Sequence, residues 1–280
     1  MVRGIYTSAS AMLIETMRQD QIANNLANVN TTGFKQDGAA FKELPTMQIR
    51  RVNDGELYPP RPIYRYPRIG KLGTGAIFDE TYTRWEAGSM NYTGNDLDIT
   101  VDNEKAFFLV ETPNGIRFTR DGSWTLDNEG FLVTKDGSYV MGEVVGDEEQ
   151  NSGVMINDDG SVNARLQRIQ VGIGRKCTID EEGRVLVDNE GEYRLVTGIA
   201  EDRKSFRKEG SNKFVRAYGT VTRPETNFCP GYLEMPNFSV VEEMVNMIEV
   251  SRAYEANSKA IQSHDSLLDK AINSVGKTKG

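Results

Sequence analysis

The 280-residue sequence predicts an α+β protein, with long helices at both ends and an antiparallel β domain between them. Three observations support this fold class. Residues 238–275 repeat apolar side chains every seven positions, residues 4–33 carry a shorter helical stripe without proline, and residues 81–235 contain β-prone runs broken by turn residues. Because narrow apolar stripes need a second helix, we expect the terminal helices to pair as a coiled-coil-like assembly domain.

The N-terminal assembly helix, together with the turn that ends it, is expected to occupy residues 1–33. This segment contains no proline, and apolar residues such as Ile5 and Met12 recur at helical spacing. We expect the helix to end near residues 28–30, with Gly33 as its C-terminal stop, because glycine readily adopts the left-handed conformation that follows many helices.

The stretch IANNLANVNTTGFK, residues 22–35, concentrates side-chain amides at the end of this helix. Its asparagines are Asn24, Asn25, Asn28 and Asn30. Asparagine is a poor choice for a helix interior, because its side chain competes for backbone hydrogen bonds. The amides therefore belong either to a frayed, solvated helix end or to a surface that another chain contacts.

The segment 34–80 is expected to be an extended connector. Five of the nine prolines lie in it, interleaved with Tyr58, Tyr64 and Tyr66. Proline fixes φ and removes a backbone donor, so this composition disfavours a packed domain. The segment could dock on a partner or form a surface strap, and the sequence favours neither.

Residues 81–235 are expected to form one antiparallel β domain. The apolar runs are short, rich in β-branched and aromatic residues, and separated by acidic or Asn-Gly turns. The segments LDNEGFLV (126–133) and IDEEGRVLV (179–187) resemble each other, with aspartate early and glycine late in the turn. This similarity indicates recurring hairpin chemistry rather than a true repeat.

The C-terminal segment 236–280 carries the strongest periodic signal and predicts a long coiled-coil helix. One seam position is occupied by Met247, Tyr254, Ile261 and Leu268, and the alternate position by Met244, Ser251, Ser258, Asp265 and Ile272. Ser239 precedes Glu242 by three positions, which predicts a capping box at the helix start. Because an isolated helix is marginal in water, the terminal helices should pack on each other or on copies from neighbouring chains.

The composition does not support catalysis. A net charge of −8 disfavours nucleic acid as a partner, because phosphate binding needs a basic face. Cys177 and Cys229 are too far apart for a zinc motif, and we expect two buried thiols or one disulfide. His264, the one histidine, lies in a predicted helix. We therefore expect no enzyme activity, no catalytic residue, no cofactor, no metal and no small-molecule substrate.

Three segments carry a family resemblance. They are IANNLANVNTTGFK near the N-terminus, DLDITVDNEKAFFLVETPNGIRFTRDGSWTLDNEGFLVTKDG in the middle, and VVEEMVNMIEVSRAYEANSKAIQ near the C-terminus. Together they closely resemble bacterial flagellar basal-body rod and hook proteins of the FlgF/FlgG family. The resemblance implies an axial filament subunit, exported unfolded without a cleaved signal, whose terminal helices form the inner tube and whose β domain decorates the outside.

Within this family, the opening MVRGIYTSASAM is more similar to proximal-rod members, because distal-rod members usually have Leu-Trp where Ile5-Tyr6 stand here. The extended Pro-rich segment is instead a feature of distal-rod members. We expect a proximal-rod subunit, with a distal-rod subunit as the alternative. The rival classes are a secreted β-domain binding module and a carbohydrate-active enzyme that uses paired carboxylates.

The resemblance implies as partners copies of the chain itself, homologous rod and hook proteins and the flagellar export apparatus, with the rod located in the periplasm. The clustered amides would then contact neighbouring subunits, since the C-terminal helix also carries Asn246 and Asn257. The residues expected at the subunit interface are Asn24, Asn25, Leu26, Asn28, Gly33, Phe34, Met244, Met247, Tyr254, Asn257, Ile261 and Leu268.

Overall fold

The computed structural model describes residues 2–50, 68–144, 154–156, 166–188, 190–200, 202, 205–210 and 212–275. The chain divides into two compact units. The helical unit comprises Met1–Ala27, Asp37–Thr83 and Ser239–Gly280, and the β unit comprises Asn28–Gln36 and Arg84–Phe238.

The helical unit contains two long helices, and this confirms the prediction of a helix near each end. Helix α1 spans Val2–Ala27. Helix α2 spans Val240–Lys270 and continues into a π-helical turn at Ala271–Val275. Within the part of the chain that the structure describes, neither helix combines the length and apolar character that a bilayer span requires.

Helices α1 and α2 pack on each other in antiparallel orientation. Near one end of the pair, Gly4 faces His264 so closely that an added Cβ would lie 2.6 Å from the imidazole Nε2. Near the other end, Asn25 contacts Glu243. Of the two arrangements that the sequence leaves open, packing of the terminal helices on each other is therefore present within one chain.

The buried side of α2 differs in part from the predicted seam. Met247, Ile261 and Leu268 are half-buried, as expected, whereas Tyr254 is 39% exposed. The predicted alternate position is confirmed only in the middle of α2, where Ser251 and Ser258 are half-buried, whereas Met244, Asp265 and Ile272 are exposed. The line one place earlier is buried or half-buried throughout, at Glu243, Val250, Asn257, His264 and Ala271. The cause is that a heptad line permits an alternate position on either side of it, and apolarity alone does not decide between them.

Helix α1 ends at Ala27, within one residue of the predicted end near residues 28–30, and a turn follows directly. Gly33 lies beyond this turn and is not the residue that ends the helix. The predicted start of α2 differs from the structure. Ser239 is the N-cap residue of α2, but its side chain makes no capping hydrogen bond, so the predicted capping box is wrong. The Glu243 N–H instead donates to the Ser239 carbonyl at 3.0 Å, as the first intrahelical bond does at an N-cap.

Two small antiparallel sheets complete the helical unit. One pairs β1 (Asp37–Glu43) with β4 (Ala76–Thr83) and contacts α1, and the other pairs β2 (Met47–Arg50) with β3 (Arg68–Leu72). Paired strands thus occupy much of the described part of the segment 34–80. The tyrosines of that segment lie outside the described residues.

The β unit consists of short strands and connecting turns. Its strands are β5 (Met90–Tyr92), β6 (Ile99–Val101), β7 (Phe107–Thr112), β8 (Gly115–Thr119), β9 (Trp124–Leu126), β10 (Leu132–Thr134), β11 (Tyr139–Val144), β12 (Val154–Ile156), β13 (Gln167–Arg168), β14 (Cys177–Ile179), β15 (Arg184–Val187), β16 (Glu190–Leu195), β17 (Thr197–Ala200), β18 (Phe206–Glu209), β19 (Lys213–Arg216), β20 (Val221–Thr222), β21 (Phe228–Pro230) and β22 (Tyr232–Glu234). Among the described strands, 14 form one sheet, whose central path runs β12-β20-β17-β7-β11-β16-β15-β14. The strand pairs are antiparallel, which confirms the prediction of an antiparallel β domain in the middle of the chain.

Strand β7 lies at the centre of this sheet and is buried on both faces. Phe108 and Val110 belong to one hydrophobic cluster, together with Trp124, whereas Phe107 and Leu109 belong to a second cluster. Successive side chains of a strand point to opposite faces, so this short apolar run packs a core on each side of the sheet.

Two hairpins explain the internal similarity seen in the sequence. In each, an aspartate carboxylate accepts hydrogen bonds from the N–H groups two and four positions later, at 2.9 and 2.8 Å for Asp127 and at 3.0 and 2.7 Å for Asp180. Gly130 and Gly183 follow with φ of 79° and 75°. The predicted combination of an acidic turn residue and a left-handed glycine is confirmed in both.

The two cysteines are free thiols. Cys177 is buried in β14 and Cys229 is half-buried in β21. Burial, with a contribution from Asp96, raises the pKa of Cys177 to about 11, so this thiol stays protonated at neutral pH. The structure thus favours two separate thiols over the disulfide.

Candidate functional site

Asn25, near the end of α1, is the centre of a buried polar contact in the helical unit. Only 2% of its surface is exposed. Its amide nitrogen donates to the Asp37 carbonyl at 3.1 Å, and its amide oxygen accepts the Asp37 N–H at 3.2 Å. The same nitrogen donates to Glu243 Oε2 at 3.4 Å. Asn25 therefore joins α1 to the start of β1 and to the first turn of α2.

The chemistry of a carboxamide explains why asparagine occupies this position. It carries a donor and an acceptor side by side, as a peptide group does, and so satisfies both backbone groups of Asp37. Its second amide hydrogen remains for the buried Glu243 carboxylate. A buried polar group left without a partner costs about 1–3 kcal/mol, and more when it is charged. Contacts outside its own helix thus offset the low helix propensity of Asn25.

The other asparagines of this stretch are less buried. Asn24 is exposed on α1, and Asn28 is half-buried beyond the end of the helix. The Asn28 carbonyl accepts the Thr31 N–H at 3.1 Å, and its side-chain oxygen accepts the Thr31 hydroxyl at 3.2 Å. Asn28 therefore builds the turn after α1, while the neighbouring Leu26 is half-buried on the helix itself.

The second half of the asparagine-rich stretch lies in the β unit, beside a buried ion cluster formed by Lys35, Arg120 and Glu234. The exposed fractions of these residues are 0%, 2% and 3%. Lys35 Nζ donates to Glu234 Oε1 at 2.6 Å, and Arg120 Nε donates to Glu234 Oε2 at 2.7 Å. One carboxylate thus binds two buried cations, and it is the group that makes their burial tolerable.

Backbone groups complete the ion cluster. The Gly88 N–H donates to Glu234 Oε1 at 3.1 Å, and Lys35 Nζ also donates to the Glu86 carbonyl at 2.7 Å. Burial by itself raises the pKa of Glu234, but attraction to Arg120 and Lys35 and the hydrogen bonds together outweigh it. The pKa of Glu234 therefore lies below its ordinary value, and the group is ionised at neutral pH.

Gly33 and Phe34 hold the chain against this ion cluster. Gly33 has φ of 68°, and an added Cβ would lie 2.5 Å from the Arg120 carbonyl carbon, so both the backbone conformation and the available space require glycine. The Gly33 N–H donates to the Glu234 carbonyl at 2.7 Å. Phe34 is buried and packs edge to face on Phe238, with ring centroids 6.2 Å apart.

The helical unit carries two exposed apolar stripes. The α1 stripe consists of Tyr6, Leu13 and Met17, and the α2 stripe of Val241, Met244, Val245 and Ile248. These side chains are between 46% and 71% exposed, and each set follows helical spacing along one face. Clustered apolar side chains on a protein surface mark an interaction site more often than isolated ones do.

The residues predicted for a subunit interface are thus not brought together in one place. Asn25 lies in the buried contact of the helical unit, Gly33 and Phe34 lie beside the ion cluster, and Met244 belongs to the α2 stripe. Asn257 is half-buried and donates its amide to a carbonyl one turn earlier in its own helix, at 3.0 Å. A role of these residues between subunits stays a prediction.

Sequence reasoning missed the charged residues Lys35, Arg120, Glu234 and Glu243. Charged side chains are almost always solvated, so nothing in their sequence neighbourhood indicates burial. Lys35 and its partner Glu234 are 199 positions apart. Glu243 resembles an ordinary acidic residue in the first turn of a helix, where a negative charge interacts favourably with the helix dipole. Only the three-dimensional fold distinguishes these residues from surface charges.

The described residues contain no group of three or more His, Cys, Asp or Glu side chains placed to hold a metal ion. The histidine of α2, His264, packs against Gly4, and its Nδ1 atom has no hydrogen-bond partner. The candidate functional features among the described residues are instead the buried contact of Asn25, the ion cluster and the two exposed apolar stripes.

Comparison with protein families finds three matching regions along the chain. Residues 5–35 match flagella basal body rod proteins, residues 103–164 the D1 domain of the flagellar hook protein FlgE/F/G, and residues 230–274 the C-terminal region of flagellar basal body rod FlgEFG proteins. The first region contains Asn25 and Lys35, and the last contains their partners Glu243 and Glu234. The two buried contacts therefore connect the matched ends of the chain.

Relatives align with almost the entire chain. The flagellar basal-body rod protein FlgG of Borreliella burgdorferi is 32% identical over 277 residues, which cover 98% of this chain and 98% of that protein. FlgG of Buchnera aphidicola subsp. Acyrthosiphon pisum is 31% identical, with coverages of 96% and 98%, and FlgF of Caulobacter vibrioides is 29% identical, with coverages of 99% and 99%. This chain therefore belongs to the flagellar basal-body rod protein family.

Proposed function

We propose that this rod protein joins neighbouring subunits through the paired helices of the helical unit. Membership of the family makes it a structural subunit of the rod in the flagellar basal body, and not an enzyme. The observation that carries the proposal is the presence of exposed apolar stripes on both helices. Burial of each large apolar side chain by a neighbour would contribute roughly 1.5–3 kcal/mol.

We propose that the chain has the three regions that the sequence predicts. Segments 1–33 and 236–280 form the assembly region, 34–80 is the connector, and 81–235 is the central β domain. The boundaries are approximate, since residues 28–33 belong to the β unit and the described strands of the connector belong to the helical unit. In the assembled rod, α1 and α2 pair in a coiled-coil-like manner. The antiparallel packing of the two helices within one chain supports this pairing.

The predicted interface residues have two kinds of role in this proposal. Exposed residues such as Asn24 and Met244 contact the neighbouring subunit directly. Buried residues such as Asn25 and Phe34 act indirectly, because they hold the chain ends in the conformation that presents the contact surface. The half-buried line on α2, which includes Ile261, keeps the two helices together.

We infer that the partners are copies of this chain and homologous rod and hook proteins. The names of the relatives, which are rod proteins aligned over nearly the full chain, support this inference. Delivery by the flagellar export apparatus rests on the resemblance of both chain ends to exported axial proteins. The two free cysteines are compatible with transport of an unfolded chain, since no cross-link closes a loop.

The position of the subunit along the rod has two candidates. The opening with Ile5 and Tyr6 favours the proximal rod, and the FlgF relative is compatible with it. The FlgG relatives, at 32% and 31% identity, and the Pro-rich segment favour the distal rod. We propose the proximal position and keep the distal position as the second candidate.

An epitope inserted into the exposed β7–β8 turn at Asn114 tests both parts of the proposal. Electron microscopy of antibody-labelled basal bodies from motile cells should place the label on the rod. A label near the cell-side end supports the proximal position, and a label near the hook supports the distal one. If motile cells yield basal bodies that lack the tagged chain, the proposed assembly role is wrong.

A further inference from the structure

We propose that Asn114 is a site of spontaneous covalent modification, at which its side-chain amide is converted to a carboxylate through a cyclic imide. The pair Asn114-Gly115 is the one Asn-Gly dipeptide in the 280-residue sequence. Asparagine is among the thermolabile residues. A following glycine has no Cβ and so leaves the carboxamide open to attack by the next backbone nitrogen. The reaction belongs to the β unit alone and needs no second copy of the chain.

Asn114 lies at the tip of the hairpin that joins β7 to β8. Thr112 and Gly115 are the last paired residues of the two strands, so Pro113 and Asn114 form the turn between them. Asn114 and Gly115 are both exposed. In the part of the chain that the structure describes, no group binds the Asn114 carboxamide. The side chain can therefore rotate toward the Gly115 nitrogen, and water reaches both groups.

Arg117 distinguishes this turn from an ordinary exposed Asn-Gly pair. Its Nη1 atom donates to the Asn114 carbonyl at 3.1 Å and to the Ile116 carbonyl at 3.1 Å. Its Nε atom pairs with the Glu209 carboxylate, and its side chain is only 12% exposed. The guanidinium is thus held against the peptide bond that joins Asn114 to Gly115.

The reaction begins when hydroxide removes the proton from the Gly115 N–H. The negative charge of the resulting amide anion is shared with the Asn114 carbonyl oxygen, and the charge-assisted hydrogen bond from Arg117 stabilises it there. The Gly115 nitrogen then forms a bond to the carbonyl carbon of the Asn114 side chain. The carboxamide nitrogen takes up a proton from water and leaves as ammonia, which completes the cyclic imide.

Water then opens the imide, and the bond that breaks determines the product. Cleavage of the new bond, between the Gly115 nitrogen and the side-chain carbonyl carbon, gives an ordinary aspartate. Cleavage of the original peptide bond gives isoaspartate, in which the main chain runs through the former side chain. The protein takes up one water and releases one ammonia, so the reaction needs no oxidant or other co-reactant. Both products add a negative charge to a chain whose net charge is −8.

Mass spectrometry of aged protein tests the proposal. The purified full-length chain is incubated at neutral and at mildly alkaline pH, and samples taken over time are digested with trypsin. The fragment 106–117 contains Asn114 as its one asparagine. It should gain the mass difference between an amide and an acid, and faster at the higher pH. A methyltransferase specific for isoaspartate should label the same fragment.

The fragment 121–135 is the matched control in the same digest. It contains Asn128, which is also exposed in a hairpin turn but is followed by Glu129, whose N–H donates to Asp127 Oδ1 at 2.9 Å. Asn128 should stay unchanged over the period in which Asn114 is converted. The synthetic peptide 106–117 gives the rate of the same sequence without the fold. Conversion of this peptide without conversion of the intact chain would overturn the proposal, because the fold would then protect the site.

Substitution of Arg117 tests the part played by the guanidinium. Arg117→Leu removes the donor to the Asn114 carbonyl and should slow conversion several-fold in the folded chain, whereas Arg117→Lys keeps a positive charge and should retain part of the rate. Glu209→Gln changes an exposed residue and loosens the guanidinium, so it should slow conversion less than Arg117→Leu does. Circular dichroism verifies that each variant is folded. Equal rates in all folded variants and the wild type would refute the role of Arg117.

Discussion

The amide nitrogen of Asn25 lies 3.4 Å from the carboxylate of Glu243, although the two residues are 218 positions apart in the chain. The same amide bonds both backbone groups of Asp37. One side chain thus fixes the end of α1, the start of β1 and the start of α2. Asparagine at this position has a structural reason, because one carboxamide bonds both the Asp37 backbone and the Glu243 carboxylate.

Asn25→Asp should destabilise the helical unit. The new carboxylate cannot donate to the Asp37 carbonyl, and it places a second negative charge beside Glu243 in a buried site. Uncompensated buried charge of this kind typically costs roughly 3–5 kcal/mol. The measurement is denaturant unfolding followed by far-ultraviolet circular dichroism, which reports the loss of helix.

Asn24→Asp is the matched control, since it makes the same chemical change at an exposed position of the same helix. Its effect should stay within about 0.5 kcal/mol. Equal destabilisation by both substitutions would show that charge on α1, rather than the contact of Asn25 with Glu243, is responsible.

Glu234→Gln should strongly destabilise the β unit. The substitution preserves shape but leaves Lys35 and Arg120 buried without a counter-charge, and breaking a buried ion pair in this way costs roughly 3–5 kcal/mol. Fluorescence of the buried Trp124 reports unfolding of this unit. Glu111→Gln is the control: it removes a partly exposed pair with Arg168, and such pairs contribute little.

The free energy of unfolding of the β unit should fall in acid, in part through Glu234. The pKa of Glu234 is lowered in the folded state, so its contribution is complete above the ordinary glutamate pKa of about 4.3 and is lost as the pH falls through the lower, folded value. Glu234→Gln should reduce this loss on acidification. Identical slopes of stability against pH in the variant and the wild type would contradict the assignment.

Gly33→Ala should cost more than an equivalent change at another left-handed glycine. Gly33 and Gly137 have φ of 68° and 79°. Backbone strain from alanine at either position should therefore lower the free energy of unfolding by about 1–2 kcal/mol. A Cβ at Gly137 meets no atom within 4 Å, whereas a Cβ at Gly33 lies 2.5 Å from the Arg120 backbone. Thermal unfolding of both variants measures the difference, and equal melting temperatures would exclude a steric role for Gly33.

The features that could be predicted from the sequence are those that depend on near neighbours. Asp127 and Gly130 lie in one turn, so their residue types and spacing were enough to predict the hairpin. The two helices are marked by periodic apolar residues within each helix. Family resemblance was equally visible, because the matching segments are continuous runs of sequence.

The features that could not be predicted depend on partners distant in the chain. Lys35, Arg120 and Glu234 look like solvated charges until the fold brings them together. Glu243, rather than the more apolar Met244, is buried in the first turn of α2, and its carboxylate accepts a hydrogen bond from Asn25 on the other helix. The apolar pattern of α2 does not predict this, because Asn25 lies 218 positions away in the chain.

The last prediction concerns Ile261, whose side chain is half-buried on the side of α2 that packs within the helical unit. A charge at this position must either be desolvated or separate α2 from its neighbours, and desolvation without a partner costs several kcal/mol. We expect Ile261→Asp to reduce the helical circular dichroism signal while the fluorescence transition of the β unit stays unchanged. Because the paired helices present both apolar stripes, the variant should also fail to assemble, and cells that carry it should be non-motile.

Gln262→Asp introduces the same charge at the adjacent, exposed position and should preserve folding and motility. Motile cells that carry Ile261→Asp would show that rod assembly does not require the packing of α2, and loss of the β-unit transition would show that the two units do not fold independently.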